Sequence, residues 1–135
     1  MRFIFLSDEF YNDFANCPEI MQKRNRPYAC LAVKIHGQTF AIPFRHHINH
    51  SYAFITYGDC GLDYTKAVVI SKASYIGVGN PQIEQREFNA LKGKEDAIVR
   101  GLTKYIKLYK KACLYPNNSH YANIRDYSSL KYFSF

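Results

Sequence analysis

Between Ala41 and His50 the chain reads AIPFRHHINH, an apolar run closed by Pro43 and followed by Arg45, His46, His47 and His50. Such side chains could do three kinds of work. A metal site would use the imidazoles as ligands. His46 and His50, four apart, share a face only on a helix, however, and no carboxylate lies within the segment, so a metal-dependent hydrolase centred on His46, His47 and His50 is the poorer fit. Acid–base work on a phosphodiester needs less: a group to take a ribose hydroxyl proton, one to protonate the leaving oxygen, and a cation for the charged transition state. Histidine titrates in the useful range, and arginine grips phosphate through paired hydrogen bonds. The third reading is a solvated loop with incidental histidines. Side chains alternate along a strand, so only some of these reach one pocket; Arg45 and His46 lead, with His47 behind them.

The bulk of the chain narrows the partner. At 135 residues it suits one domain, 1–135, with one core. It is 47% hydrophobic and 16% aromatic, without low-complexity runs, which argues for a folded globule. Eighteen Lys and Arg against eleven Asp and Glu give a net charge of +7, favouring an anionic partner, nucleic acid first. The four cysteines, Cys17, Cys30, Cys60 and Cys113, contain no CxxC and read as reduced core thiols. Only four consecutive apolar residues precede Ser7, too few for a secretory leader, and no run has membrane-spanning length; the expectation is a cytoplasmic protein.

Elements must hold these residues in place. RFIFL (2–6) reads as a strand, and Ser7 with Asp8 and Glu9 caps a short helix that buries Phe10 and Phe14. A basic loop ends at Pro27. YACLAVKI (28–35) and QTFAIP (38–43) form a hairpin about His36-Gly37, which Pro43 terminates. SYAFITY (51–57) and TKAVVIS (65–71) read as strands separated by a GDCGLD turn, and SYIGVG as a further short strand. Asn80 and Pro81 open a helix that carries Ile83, Phe88 and Leu91 on one face and ends at Gly93. A second helix over 95–114 turns Ile98, Leu102, Tyr105, Ile106, Tyr109 and Cys113 inward and Lys104, Lys107, Lys110 and Lys111 outward; Gly101 within it costs about 1 kcal/mol against Ala. The last fifteen residues form a short helix or an aromatic flap. Strands first and helices later favour an α+β domain on an antiparallel sheet.

In this order, NRPYACLAVKIHGQTFAIPFRHHINH, GLDYTKAVVI and EFNALKGKEDAIVRGLTKYIKLYKKA resemble the toxins of type III toxin–antitoxin systems, the ToxN/AbiQ superfamily, and within it the TenpN branch. The resemblance runs from Met1 to Ala112. It implies a compact single domain with a highly twisted antiparallel sheet and packed helices, related to the Kid/MazF toxins. It implies a metal-independent endoribonuclease, without cofactor, that leaves 2′,3′-cyclic phosphate and 5′-hydroxyl ends. Its partner would be an RNA antitoxin of tandem pseudoknot repeats, joined with the toxin in a closed RNA–protein assembly that serves phage defence by abortive infection.

Carried onto this chain, the resemblance assigns Arg45 to transition-state stabilisation and His46 to the position where serine is usual. Either histidine has taken over proton transfer, or the exchange silences the enzyme. Tyr28 stands where a basic residue is expected and Lys66 where a lysine faces the RNA groove. Each has a plainer reading, as a core tyrosine and a solvated strand lysine. Lys23, Arg24, Arg26, Lys104, Lys107, Lys110 and Lys111 would wall that groove with His50, while Tyr28, Tyr52 and Tyr57 stack bases. The rival reading is a non-catalytic RNA-binding module with the same groove.

Overall fold

The apolar run from Ala29 to Ile35 buries both of its faces, and the rest of the molecule is arranged to cover them. The computed structural model describes residues 1–22 and 27–135. Its strands are β1 (Arg2–Phe5), β2 (Ala29–Ile35), β3 (Gln38–Arg45), β4 (Ala53–Tyr57), β5 (Cys60–Asp63) and β6 (Val68–Val69). Its helices are α1 (Asp8–Asp13), α2 (Gln85–Leu91), α3 (Glu95–Leu114) and α4 (Ala122–Asp126). The strands form one antiparallel sheet in the order β1-β2-β3-β5-β4, with β6 also paired to β3. β1 and β4 stand at opposite ends, so the sheet is open and not closed into a barrel.

Leu31, Val33 and Ile35 point to the side covered by α3, where they meet Phe40, Ile42 and Leu62 and, from the helix, Ile98, Leu102, Tyr105, Ile106 and Tyr109. Cys30 and Ala32 point the other way, joining Ile4, Leu6, Ala41 and Val68 beneath Phe10 and Tyr11 of α1. Strand alternation thus divides one sequence run between two cores. Each fully buried leucine or isoleucine contributes about 1.5–3 kcal/mol. Ser7 caps α1, its side chain accepting the Phe10 N–H at 3.2 Å. His36 and Gly37, with φ of 50° and 79°, make the tight turn between β2 and β3. Among the described residues no helix is long and apolar enough to cross a membrane.

Several local expectations give way to tertiary pairing. Pro43 does not end its strand: β3 continues to Arg45. Phe40 and Ala41 pair with β6 while Phe44 and Arg45 pair with β5, and the proline falls between those two ladders. Only Gly58 and Asp59 of GDCGLD form a turn, because the last four residues form β5, held between β3 and β4. TKAVVIS contributes only Val68–Val69 as strand; Tyr64–Lys66 is a 3-10 turn capped by Asp63. SYIGVG is a 3-10 turn over Ala73–Tyr75 and a single bridge from Ile76 to Leu6. Asn80 and Pro81 open no helix, since α2 begins at Gln85. Gly93, at φ 74°, does end it. On α3 the inward position is Ala112, and Cys113 is exposed. The chain ends in α4 and a 3-10 turn that buries Leu130, and the Phe135 ring meets that of Phe40.

Gly101 finds its reason here. Tyr64 reaches α3 from beyond β5 and donates its hydroxyl to Ile98 O at 3.0 Å, and a Cβ on Gly101 would lie 2.3 Å from that hydroxyl oxygen. The ring is buried and cannot swing clear. Gly101→Ala, which helix propensity alone favours by about 1 kcal/mol, is therefore expected to destabilise the protein by about 1–3 kcal/mol through overpacking. Urea unfolding of the two proteins checks the sign.

Candidate active site

The tip of β3 is positioned from β5. Arg45 pairs across the ladder with Gly61. A Cβ at Gly61 would stand 2.2 Å from Phe54 O, so only glycine lets β4 close this tightly on β5. Diagonal to Arg45, Asp63 is fully buried and yet charged-partnered: Arg45 Nη1 donates to Oδ2 at 2.6 Å. The other carboxylate oxygen, Oδ1, accepts Thr65 N–H at 2.9 Å and Thr65 Oγ1 at 2.6 Å, which turns the chain into the Tyr64–Lys66 bend. His50 Nε2 lies 3.3 Å from the same Oδ1, within ion-pair range but off the hydrogen-bond direction, while its Nδ1 accepts Tyr52 N–H at 3.1 Å.

Lys66 emerges from this bend, half-buried, with Nζ 3.4 Å from Tyr127 O. Burial holds its pKa below that of an ordinary lysine, and the Arg45 charge adds to the effect against the pull of Asp63. Lys66 also lines an apolar recess with Tyr28 and Pro43. Tyr28 donates its backbone N–H to the hydroxyl of buried Tyr11 at 3.3 Å. Lys66 thus shares the recess with Tyr28 and feels the charge of Arg45.

His46 and His47 go elsewhere. One residue past Arg45, strand alternation sends His46 toward Cys60, with Nδ1 2.9 Å from Sγ. The imidazole is exposed and its Nε2 is the nitrogen not engaged. Burial raises the Cys60 pKa, so the sulfur is a neutral thiol. Glu87, raised by its own burial, lies near and feels His46. Thr56 Oγ1 bridges it at 3.1 Å to Cys60 O at 3.0 Å. His47, left-handed at φ 59°, stands 91% exposed with Nδ1 3.2 Å from Asp59 Oδ2. The three histidines of the motif therefore face three different partners. Among the described residues no group of three or more His, Cys, Asp or Glu could hold a metal ion.

Of the residues expected to touch RNA, Lys23, Arg24 and Arg26 lie outside the described residues. His50 turns both ring nitrogens inward. Tyr52 packs half-buried between the His50 and Tyr105 rings, at 6.0 and 5.7 Å. The Tyr57 ring carries the Arg86 guanidinium 4.2 Å above its centre, and its hydroxyl donates to Glu84. Lys104, Lys107, Lys110 and Lys111 are exposed, on the far side of α3 from Tyr105, which borders Asp63.

Sequence reasoning passed over Asp63 and Cys60. Asp63 did leave a signal, an aspartate two residues ahead of a threonine after an apolar strand, the pattern of a side-chain-capped turn. Cys60 left none. No protein-family model, curated protein or solved structure matches the chain.

Two outcomes follow from this geometry. Arg45→Met strands a buried carboxylate and is expected to cost about 3 kcal/mol in urea unfolding, with Arg45→Lys recovering only part of it. Lys66, with its lowered pKa, holds more free amine at a given pH than an ordinary lysine. Acetic anhydride at limiting dose should therefore label Lys66 ahead of Lys104 as pH rises, read by peptide mass spectrometry.

Proposed function

We propose that this chain is a metal-independent endoribonuclease of the type III toxin class, inhibited by a repeat-encoded RNA antitoxin and serving phage defence. The observation that carries the reading is that Lys66, which lines the recess with Tyr28, also feels the charge of Arg45, so that two cations partly withdrawn from water lie near each other. Half-buried neighbouring cations repel each other, and a phosphate between them relieves that repulsion.

In the proposed reaction the ribose 2′-oxygen attacks the adjacent phosphorus while the bond from phosphorus to the 5′-oxygen breaks. The 2′-hydroxyl proton is given up and the departing 5′-oxygen receives one. Arg45 and Lys66 hold the phosphoryl oxygens as their charge rises, and Tyr28 borders the bound nucleotide. His46 transfers a proton through Nε2, because Cys60 occupies Nδ1. An RNA strand crossing the tip of β3 meets the cations on one side and His46 on the other.

That division across the strand is also what favours the rival, a groove that binds RNA without turning it over. One experiment separates them. RNA-free protein incubated with cellular RNA in EDTA is expected to give fragments ending in 2′,3′-cyclic phosphate and 5′-hydroxyl. Lys66→Gln and His46→Ala should each slow cleavage by about 100-fold while keeping the urea midpoint. Unchanged cleavage in Lys66→Gln would sink the assignment of the cation pair, and intact RNA that stays bound would mean a binder.

A further inference from the structure

Away from Asp63, α3 presents a feature that the active-site reading does not use. Arg100, Lys104, Lys107 and Lys111 are all exposed. At 100° per residue they fall within about 60° of one another, on a single ridge roughly opposite the buried face of Ile98, Leu102 and Tyr109. Along the axis the four span about 17 Å at the usual rise per residue. Among the described residues none of the four is ion-paired with a carboxylate. A solvated helix face ordinarily mixes both signs to limit self-repulsion, but beyond Asp96, one turn before Arg100, the charges on this ridge are all positive.

The ridge runs into an aromatic step. Tyr115, four residues beyond Lys111, is exposed and stacks with Tyr121 at 6.2 Å between centres and 29° between planes. His120 meets Tyr121 edge-on, and Leu114, Tyr115, Pro116, Asn117 and Asn118 line an open concavity. Arg125 fixes this corner, its Nη1 donating to Ala112 O and Tyr115 O and its Nη2 to Pro116 O, at 3.0, 3.1 and 2.9 Å. The guanidinium also offsets the negative end of the helix dipole. An anion can therefore follow the ridge to its last turn.

We infer that the outer face of α3 is a second binding surface, for a single-stranded RNA segment whose phosphates lie along Arg100, Lys104, Lys107 and Lys111 and whose base stacks on Tyr115. A row of unpaired cations ending in an exposed, braced aromatic pair complements alternating phosphates and bases. A membrane surface would require an apolar face on this helix, and its apolar face is already buried in the core. The inference rests on the proposed RNA partner but not on cleavage.

The test is fluorescence anisotropy with a labelled twelve-nucleotide oligouridylate in EDTA, 2′-O-methylated so that it cannot be cut, titrated across KCl concentrations. Lys104→Gln/Lys107→Gln/Lys111→Gln is expected to weaken binding and to reduce the slope of log affinity against log salt by about 2, near 0.7 for each phosphate contact removed. Tyr115→Ala should weaken it by about tenfold with the slope kept, and Tyr115→Phe should restore it. Unchanged affinity and slope in the triple variant would overturn the inference. So would tighter binding to vesicles of phosphatidylserine and phosphatidylcholine than to the oligonucleotide. Loss of cleavage in Lys66→Gln with the ridge slope intact would bear only on the active site, so the two readings fail separately.

Discussion

One buried charge organises the working end of this molecule. The Asp63 carboxylate has no exposure, and withdrawing it from water costs several kcal/mol unless partners make up the loss. It has them on both oxygens: Arg45 on one, and the Thr65 N–H and hydroxyl on the other, with His50 alongside. Those partners come from the tip of β3, the bend after β5 and the loop that enters β4. None can move far without exposing a bare carboxylate to an apolar interior, so the three segments keep a common geometry. Ser129 extends the arrangement by donating to the backbone carbonyls of Thr65 and Ala67, which ties the C-terminal turn to the same bend.

The same constraint sets the character of the two sides of β3. On one, Arg45 gives one N–H to Asp63 and retains its remaining donors, while Lys66 is held near it at a depressed pKa. That side is cationic and short of counter-charge. On the other, the Cys60 thiol and the raised Glu87 carboxyl favour neutral forms beside an exposed imidazole. Adjacent residues thus enter different dielectric and charge environments, because a strand alternates its side chains and the two faces here are covered by different elements. The proposed chemistry needs both environments, one to hold phosphate and one to move a proton.

Much of the fold was legible because its signals are local. The Ser7 cap, the His36-Gly37 turn and the apolar period of α3 each depend on residues within a few positions of one another, and each appears in the structure. Gly61 and Asp63 are poor strand formers in isolation, so the chain alone suggests a turn where β5 lies. They form a strand because β3 and β4 flank them and because Gly61 alone admits the Phe54 carbonyl. The start of α2 shows the converse: Asn80-Pro81 is a sound helix opening that the surrounding chain does not use. At the site, Lys66 lines a recess with Tyr28 and feels the charge of Arg45, whereas His46 turns to Cys60 and His50 faces inward.

The sequence by itself determined an α+β chain of strands followed by a long amphipathic helix, a net positive charge, and a cluster of arginine and histidines at a strand end. It did so through periodicity, capping and composition, which are properties of neighbouring residues. Tertiary structure alone decided that Asp63 is buried against Arg45, that Cys60 holds His46, and that Gly101 makes room for Tyr64. The first two pairs are 18 and 14 residues apart, and the Tyr64 hydroxyl reaches a carbonyl 34 residues away. No window of the chain encodes such contacts, because they exist only once the sheet has brought the strands into register.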